Sequence, residues 1–298
     1  MRLDTDEAAR LAVFLAQRTK LLRLAYRHLG SVSEAQDIVQ DAWLKFAGAE
    51  NVQNGPRLLS VIVTRLCLDQ AKSAAARRLS YVGEWLPEPA DASFEDASDA
   101  ALDISFAVMR TLERLSPSER AAFFLHDVWD LSFEEVGAAL AKSPAACRKL
   151  ASRARAALID ARTRFKPSSA ELDRLVAAFE ASLRSGDPSS LKTLLSADIQ
   201  LVTDGGGRKI AALNVIVGPD AVARFLLGVA AKTPEGSLTS ISRRLLNGSP
   251  ALLVMIGGEL DSTYSFDLDA DGRVRGIYVV RNPEKLAHIS ADGATPEA

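Results

Sequence analysis

The sequence is poor in several features on which particular classes of protein depend. It has two cysteines among 298 residues, Cys67 and Cys147, and both fall in helical patterns far apart in the chain. We therefore expect buried free thiols in a reducing compartment rather than a disulfide. No apolar run approaches the roughly 18 residues of a membrane-spanning helix, and the N-terminal MRLDTDEAAR lacks the apolar core of a signal peptide. These absences predict a cytoplasmic protein without a membrane segment.

Charge is balanced over the whole chain but unevenly distributed along it. The formal net charge is −2, so only the local pattern can point to a partner. Residues 81–105 contain seven acidic residues and no basic one, and their prolines argue against an early helix. We interpret this segment as an acidic linker, and its composition by itself favours a solvated tether. Residues 142–166 are the opposite, with eight lysines and arginines and one acid, Asp160.

Hydrophobic periodicity divides the chain into parts of different character. Residues 5–79 repeat apolar side chains at helical spacing, and so do residues 106–164. An amphipathic helix, a shorter helix and several strand-like runs follow KPSS (166–169). We therefore predict a multidomain protein, with two all-α modules followed by an α+β domain in which helices pack on a strongly curved antiparallel sheet. The predicted domains are 5–80, the linker 81–105, 106–165 and 170–290, and the predicted strands are 199–203, 209–218, 237–246, 251–257, 260–269 and 273–281.

Helix-start signals define three short helices in the second α module. Ser116 and Ser132 each precede a glutamate by three residues, which is the pattern of a capping box, and Ser143 is followed by proline at the first helical position. Only three residues separate the last two helices, which is typical of a helix-turn-helix. The predicted helices are 117–128, 133–140 and 144–162.

The last of these helices is the basic one, and its two sides differ. One side matches the apolar face of the preceding helix, where Gly137 permits a close approach, and is a stripe of Cys147, Leu150, Ala154, Ala157 and Leu158. The opposite side has the composition of a helix that enters the major groove of DNA. The alternative is an ordinary amphipathic helix with a solvated basic face, but the paired caps and the tight turn favour DNA binding. The candidate DNA-binding residues here are Ser143, Arg148, Lys149, Ser152, Arg153 and Arg155.

Two segments of the sequence resemble a known family. LSPSERAAFFLHDVWDLSFEEVGAALAKSPAACRKLASRARAAL is similar to region 4 of bacterial sigma-70-type factors, specifically their extracytoplasmic-function (ECF) group. AYRHLGSVSEAQDIVQDAWLKFAG is similar to region 2, and a basic helix, GPRLLSVIVTRLCLDQAKSAAARR, follows it in the promoter-melting position. The resemblance covers roughly residues 5–165, and Cys147 stands where the family more often has valine.

The C-terminal part resembles a subgroup of that family in which a SnoaL-like domain, of the cone-shaped nuclear-transport-factor fold, follows region 4. Three short motifs carry this resemblance: WLPEP (85–89) in the linker, DGGG (204–207) after the first predicted strand, and NPEKL (282–286) near the end. Glu284 stands where the subgroup more usually has aspartate. The resemblance implies that the α+β domain is a cone.

The family resemblance implies a promoter-specificity subunit that is not an enzyme and that uses no cofactor or metal. Its partners would be core RNA polymerase and the −10 and −35 promoter elements, and the basic helix of region 4 would contact the −35 element. Trp43 has an alternative place in the hydrophobic core, and Arg65 an alternative partner in Asp69, one helical turn away. The residues implied for core polymerase binding are Asp37, Asp41, Trp43 and Lys45, and those implied for the −10 element are Arg57, Arg65, Lys72, Arg77 and Arg78.

The three short motifs suggest a contact within the chain. We hypothesise that WLPEP docks near the DGGG turn or the NPEKL segment, so that the C-terminal domain modulates the sigma modules of the same chain. Trp85 and Leu86 are apolar and are not expected to stay in water, while the acidic part of the linker could lie in a channel built for nucleic acid. The candidate regulatory residues are Trp85, Leu86, Pro87, Asp204, Gly205, Gly206, Asn282, Pro283 and Lys285.

Other functions are open on the sequence alone. A helix-turn-helix regulator with a ligand-sensing cone domain would bind an operator without polymerase, usually as a dimer. A cyclase-like enzyme would need a pocket acid or base. However, the histidines His28, His126 and His288 lie outside the predicted strands, and Asp204 begins a glycine-rich turn, where aspartate is common for backbone reasons. We expect no catalysis, and binding of an unknown small ligand stays open.

Overall fold

A computed structural model of the chain divides it into two compact units. One unit combines Met1–Ser80 with Ser93–Arg162, and the other combines Tyr81–Ala92 with Thr163–Ala298. The start of the acidic linker therefore groups with the C-terminal part of the chain. The structure describes residues 5–91, 105–162, 174–178, 181, 185–232 and 238–289, and only the backbone within 5–6, 72–79, 160–162, 238–239 and 250.

The first unit begins with three helices that correspond to the first predicted module. They are α1 (Thr5–Leu29), α2 (Val32–Ala47) and α3 (Gly55–Leu79). Gly30 ends α1 in the left-handed conformation, with φ of 72°, and Ser31 then caps α2 through its side chain. The second half of α1 is buried almost all round because the rest of the unit packs against it.

The second predicted module folds in the same unit. Its helices are α4 (Phe106–Arg114), α5 (Pro117–Phe123), α6 (Phe133–Leu140) and α7 (Pro144–Arg162). The capping boxes of α5 and α6 are both closed, as the sequence predicts. The predicted helix 117–128 is not α-helical throughout, since Phe124–Val128 forms a π turn. The wider turn is closed by bonds such as the one from the Trp129 N–H to the Phe124 carbonyl, 3.2 Å apart.

Helices α6 and α7 form the predicted helix-turn-helix. A Cβ atom on Gly137 would lie 2.7 Å from the Lys142 carbonyl oxygen, so only glycine allows the turn to fold back this closely. The buried stripe of α7 contains Cys147 and Leu158 as predicted, but Ala157 is exposed and Ala151 takes the buried position. Cys67 and Cys147 are both buried free thiols. Burial raises the pKa of Cys67 and that of Cys147, which keeps both thiols protonated.

The C-terminal unit contains the predicted curved sheet, but its topology is mixed. The described strands run in the order β2-β1-β6-β5-β4-β3, and register shifts in four of their ladders bend the sheet. The prediction of a wholly antiparallel sheet is wrong, because the neighbouring strands β1 and β6 pair in parallel. The strands are β1 (Leu195–Asp204), β2 (Ile216–Val217), β3 (Leu238–Leu246), β4 (Ser249–Ile256), β5 (Glu259–Leu268) and β6 (Val274–Val280).

The predicted strand 209–218 is the other error, since only Ile216–Val217 is a strand. The preceding residues satisfy their backbone groups on the DGGG turn and on β1 instead of in a ladder. The N–H of Lys209 bonds to the Gly205 carbonyl, and the side chain of Thr203 bonds to both the N–H and the carbonyl of Ala212. Hydrophobic content therefore misled the prediction, because side-chain and turn bonds replace the strand.

The two faces of the sheet are covered differently. On one face, the helices α8 (Pro188–Leu194) and α9 (Pro219–Lys232) cover the larger hydrophobic cluster of the unit. Their side chains Leu191, Val222 and Leu226 pack there with Leu252 and Phe266 of the strands. A smaller cluster joins Leu246, Ala251 and Leu253 to Ile289, just after the short helix α10 (Pro283–Leu286).

Two predicted segments are only partly described by the structure. Residues 171–173, 179–180 and 182–184 of the predicted amphipathic helix after KPSS lie outside the described residues, and so do residues 92–104 of the linker. The described part of that helix is helical at 174–178. Within the part that the structure describes, no helix has both the length and the apolar character needed to cross a bilayer. The architecture is otherwise the predicted one, with two helical modules and an α+β domain built on a curved sheet.

Candidate functional site

The three short motifs of the C-terminal unit converge on one buried carboxylate. Asp204, the last residue of β1, is completely buried, and its Oδ2 lies 2.8 Å from the Nζ of Lys285 on α10. Lys285 is itself 5% exposed. A buried ion pair needs further hydrogen bonds to offset the loss of water around both charges. Most of those bonds come from the linker segment Tyr81–Asp91.

Asp204 accepts hydrogen bonds from three more donors. The hydroxyl of Tyr81 donates to Oδ1 at 2.6 Å, the N–H of Leu86 donates to Oδ2 at 2.8 Å, and the N–H of Gly206 donates to Oδ1 at 3.0 Å. Each carboxylate oxygen thus has two donors, as a buried carboxylate requires. Burial, together with the bond to Asp204, raises the pKa of Tyr81 above its ordinary value, so Tyr81 remains a donor across physiological pH.

Lys285 holds the linker segment through both its charge and its position. Its Nζ donates to the Leu86 carbonyl as well as to Asp204, and it lies 3.8 Å from the centre of the Trp85 ring. The ring face attracts a cation, most strongly when water is excluded. Leu86 is completely buried, so the segment cannot leave this position without exposing an apolar side chain and a buried charge.

The DGGG and NPEKL motifs approach each other too closely for any residue but glycine at the turn. A Cβ on Gly206 would lie 2.3 Å from Nδ2 of Asn282, and one on Gly205 would lie 2.1 Å from the Lys209 carbonyl oxygen. Asn282 in turn donates to the Tyr81 hydroxyl at 2.9 Å. We refer to Tyr81, Trp85, Leu86, Asp204, Gly205, Gly206, Asn282 and Lys285 as the Asp204 cluster.

A second set of bonds holds the other end of the linker segment. Asn247 accepts from the N–H of Ala90 through Oδ1 at 2.8 Å, and its own N–H donates to the Ala90 carbonyl at 2.7 Å. The imidazole Nε2 of His288 lies 2.7 Å from the Pro89 carbonyl oxygen. The segment is therefore fastened at two points of the sheet, with Pro87 buried between them.

Sequence reasoning named most of the Asp204 cluster and missed the rest. Pro283, also named, occupies the first position of α10 behind its cap Asn282. Tyr81, Asn247 and His288 were missed as contacts. Asn247 has a φ of 56° and is followed by Gly248, so the sequence indicates only an ordinary hairpin turn. Its bonds to Ala90 form because the linker segment lies beside this turn, which the local sequence does not reveal.

The basic face of α7 is exposed, and its cations differ in their surroundings. Arg155 pairs with Asp127 at 2.5 Å and Arg153 with Glu119 at 3.7 Å, so both have carboxylate partners on the preceding helices. Ser143 caps α7 by accepting from the N–H of Ala146. Arg148 lies over the ring of Phe133. Lys149 and Ser152 are exposed between them on the same face of α7.

Two of the predicted −10 arginines bind the helix-turn-helix within the first unit. Arg57 of α3 donates to the Glu135 carboxylate at 3.1 Å and to the Asp130 carbonyl at 2.9 Å. Arg65 donates to the carbonyls of Ala139 and Ala138 at the end of α6, at 3.0 and 3.1 Å. The side chains of Lys72, Arg77 and Arg78 lie outside the described residues.

The candidate polymerase surface lies on α2. Asp37, Asp41 and Lys45 are exposed along one side of the helix. Trp43 is half-buried, with its ring centre 5.2 Å from that of Phe14. The two interpretations of Trp43 are therefore compatible, because one part of the ring packs on α1 while another part stays accessible.

Comparisons with known proteins agree with this arrangement. Residues 14–78 match the family Sigma-70 region 2, and residues 105–158 match Sigma-70, region 4. The ECF RNA polymerase sigma factor SigJ of Mycobacterium tuberculosis is 37% identical over 288 residues, which are 92% of each chain. The probable ECF RNA polymerase sigma factor SigI of the same species is 28% identical over 94% of this chain and 96% of its own. A crystal structure of SigJ from Mycobacterium tuberculosis superposes on this chain with a TM-score of 0.73 and 32% identity, and the match covers 93% of this chain and 98% of the SigJ chain. With two sigma-70 regions in order and a relative similar over nearly its whole length, this chain belongs to the family of ECF RNA polymerase sigma factors.

Proposed function

We propose that this sigma factor binds core RNA polymerase and directs it to promoters through two DNA-contacting helices. The observation that carries the proposal is the exposed basic face of α7, the second helix of a helix-turn-helix that follows the region 2 module in the chain. The alternative of a regulator that acts without polymerase is not favoured, because it leaves region 2 without a role. Sigma factors are not enzymes, and we propose no catalytic activity for this chain.

The −35 surface is the exposed side of α7. Lys149 and Ser152 have access to a DNA groove, and Arg153 and Arg155, which have carboxylate partners on neighbouring helices, lie at the edge where phosphates would run. Ser143 occupies the helix N-terminus, where a phosphate is also favoured. Together with Arg148, these residues form a surface of the charge and shape that a major groove accepts.

The −10 surface is α3, and the polymerase surface is α2. Arg57, Arg65, Lys72, Arg77 and Arg78 lie along α3, where they would hold the backbone of a separated strand. Asp37, Asp41 and Lys45, with the accessible part of Trp43, form the proposed contact with basic and acidic side chains of core polymerase. Both assignments rest on the position of these residues on α2 and α3 of the region 2 module.

The C-terminal unit is proposed to regulate the sigma modules through the linker. The Asp204 cluster holds residues 81–91 against the sheet, and these residues directly follow α3 in the chain. While residues 81–91 are bound to the sheet, only the rest of the linker is free to connect the two sigma modules. When residues 81–91 are released, the free connection becomes longer. An effector that competes for the cluster would change that length without touching the DNA-binding helices.

Transcription in vitro tests the proposed function. We expect purified protein and core polymerase to initiate from promoters selected out of a random pool, and a double variant Arg148→Ala/Lys149→Ala to lose most of that activity. A shortened chain that ends near residue 165 separates the contribution of the C-terminal unit. Absence of initiation with both the full and the shortened chain would refute the proposal.

The bonds of Arg57 lead to a prediction about the free protein. Because Arg57 cannot hold Glu135 and a DNA strand at once, Glu135→Gln is expected to raise the affinity for a single-stranded −10 oligonucleotide by up to about fivefold. Glutamine still closes a capping box, so α6 should remain intact. Glu134→Gln, which removes the same charge from the neighbouring exposed residue of α6, is the control. Fluorescence anisotropy measures both, and equal affinities would contradict the prediction.

A further inference from the structure

Three side chains of the region 4 module form a stack that the proposed function leaves without a role. The rings of His126 and Phe133 are stacked, with centres 3.9 Å apart and an angle of 26° between the planes. The guanidinium carbon of Arg148 lies 5.0 Å from the centre of the Phe133 ring. His126 is fixed to the turn because its Nδ1 lies 2.7 Å from the Leu131 carbonyl oxygen, to which it donates in the matching tautomer. The stack therefore connects the π turn, α6 and the start of α7.

The stack distinguishes Arg148 from the other arginines of α7. Arg153 and Arg155 direct their donors at the carboxylates of Glu119 and Asp127. A cation held over a ring spends none of its N–H donors on that contact. Arg148 is thus held in place on one side while its hydrogen-bonding edge stays available, and it lies in the exposed N-terminal half of α7.

The chemistry of that edge identifies the group that it would bind. Arginine donors are arranged as a planar fork, and the O6 and N7 acceptors of guanine in the major groove match the fork with two parallel bonds. A freely rotating arginine loses side-chain freedom when it binds, and a stacked one has already lost part of it. The Phe133 ring under the Arg148 guanidinium therefore favours the two-bond contact with guanine over a less ordered contact with a phosphate.

We propose that Phe133, supported by His126, is a positioning residue that orients Arg148 to read one guanine of the −35 element. The inference rests on the proposed function of α7. It adds that Arg148 is the side chain that reads a base and that Phe133 is the ring that holds Arg148 in place. Phe133 touches no DNA in this arrangement, so its effect appears in base preference rather than in overall attraction to DNA. Arg153 and Arg155 contribute to attraction that is independent of sequence.

The test is selection of −35 sequences from a randomised library by full-length protein with core polymerase. The variants are Phe133→Leu, which removes the ring, Phe133→Tyr, which keeps it, and Arg148→Lys, which keeps the charge but not the planar fork. We expect the unsubstituted protein to prefer guanine at one position by about tenfold or more. Arg148→Lys should reduce that preference, because lysine can still donate to guanine but cannot make the two parallel bonds of the planar fork. Phe133→Leu should reduce it by about two- to fivefold, and Phe133→Tyr should retain it. Other positions and the salt dependence of binding should stay the same.

Several outcomes would overturn the inference. Guanine preference that is unchanged in both Arg148→Lys and Phe133→Leu would show that another residue reads the base. A uniform loss at all positions in Phe133→Leu, with a lower melting temperature, would assign the ring to stability alone, and if that variant does not fold, Arg148→Lys decides the matter. Promoter-directed initiation without any guanine preference would refute the inference and leave the proposed function standing, whereas no selection of promoters at all would refute the proposed function.

Discussion

Replacing Lys285 by methionine is expected to lower the free energy of unfolding of the C-terminal unit by about 3–5 kcal/mol. Methionine has a similar length, so the change removes the charge while keeping most of the volume. Asp204 would then be a buried carboxylate whose ion-pair partner is gone, and the Leu86 carbonyl would lose its Nζ donor. Denaturant unfolding gives the free energy, and hydrogen exchange of residues 81–91 shows whether the linker segment is released.

The same motif region offers a matched control for this prediction. Arg208 and Glu284 form an ion pair of almost the same length, 2.9 Å, but both side chains are about two-thirds exposed. Arg208→Met should therefore change the free energy by no more than about 0.5 kcal/mol. In the double variant Asp204→Asn/Lys285→Met, part of the stability should return because no buried charge remains. Similar losses in Lys285→Met and Arg208→Met would show that the buried pair does not hold the segment.

The Lys285 variant also tests the regulatory proposal. If the C-terminal unit acts through residues 81–91, transcription with core polymerase should change when the segment is released by Lys285→Met. Arg208→Met should leave transcription as it is, since the side chain of Arg208 bonds to Glu284 and not to the linker segment. Release of the segment in hydrogen exchange without any change in transcription would remove the regulatory role and leave the structural one.

Gly206→Ala is expected to destabilise the C-terminal unit by about 2–5 kcal/mol through two separate effects. The φ of Gly206 is 60°, a conformation that costs an alanine about 1–2 kcal/mol. The added Cβ would also lie 2.3 Å from Asn282, so the NPEKL segment must move, and overpacking of this kind costs about 1–3 kcal/mol. Because Asn282 donates to Tyr81, the shift should also loosen the linker segment.

Gly248 separates these two effects. Its φ is 66°, nearly the same as that of Gly206, but a Cβ there meets no atom of the described structure within 4 Å. Gly248→Ala therefore carries only the backbone cost, and the difference between the two variants measures the collision with Asn282. Denaturant unfolding of both proteins gives that difference. Equal destabilisation would mean that the DGGG turn does not need glycine for its approach to NPEKL.

The helical modules could be predicted from the sequence because their signals are local. A serine followed three residues later by glutamate closes its own capping box within one turn of helix, as at Ser116 and Ser132. The same is true of the tight turn before α7, where Gly137 lies next to Lys142. The π turn at Phe124–Val128 escaped prediction, since one inserted residue hardly alters the apolar periodicity.

The C-terminal unit shows where local signals stop being sufficient. Residues 209–215 have the apolar character of a strand, yet their backbone groups find partners on the DGGG turn and on Thr203. The parallel pairing of β1 with β6 joins strands from opposite ends of the domain, and no turn between them reveals it. Tyr81 was likewise missed, since its partner Asp204 is 123 residues away.

By itself, the sequence determined the order of the modules, the helix boundaries that capping residues define, the basic face of α7 and the three motifs around WLPEP, DGGG and NPEKL. Only the tertiary structure decided that Asp204 is a buried partner of Lys285 as well as a turn residue, and that Arg57 and Arg65 bind α6 while Arg148 rests on Phe133. The reason is physical: caps and periodicity act within a few residues, whereas the environment of a charge depends on which distant groups exclude water from it.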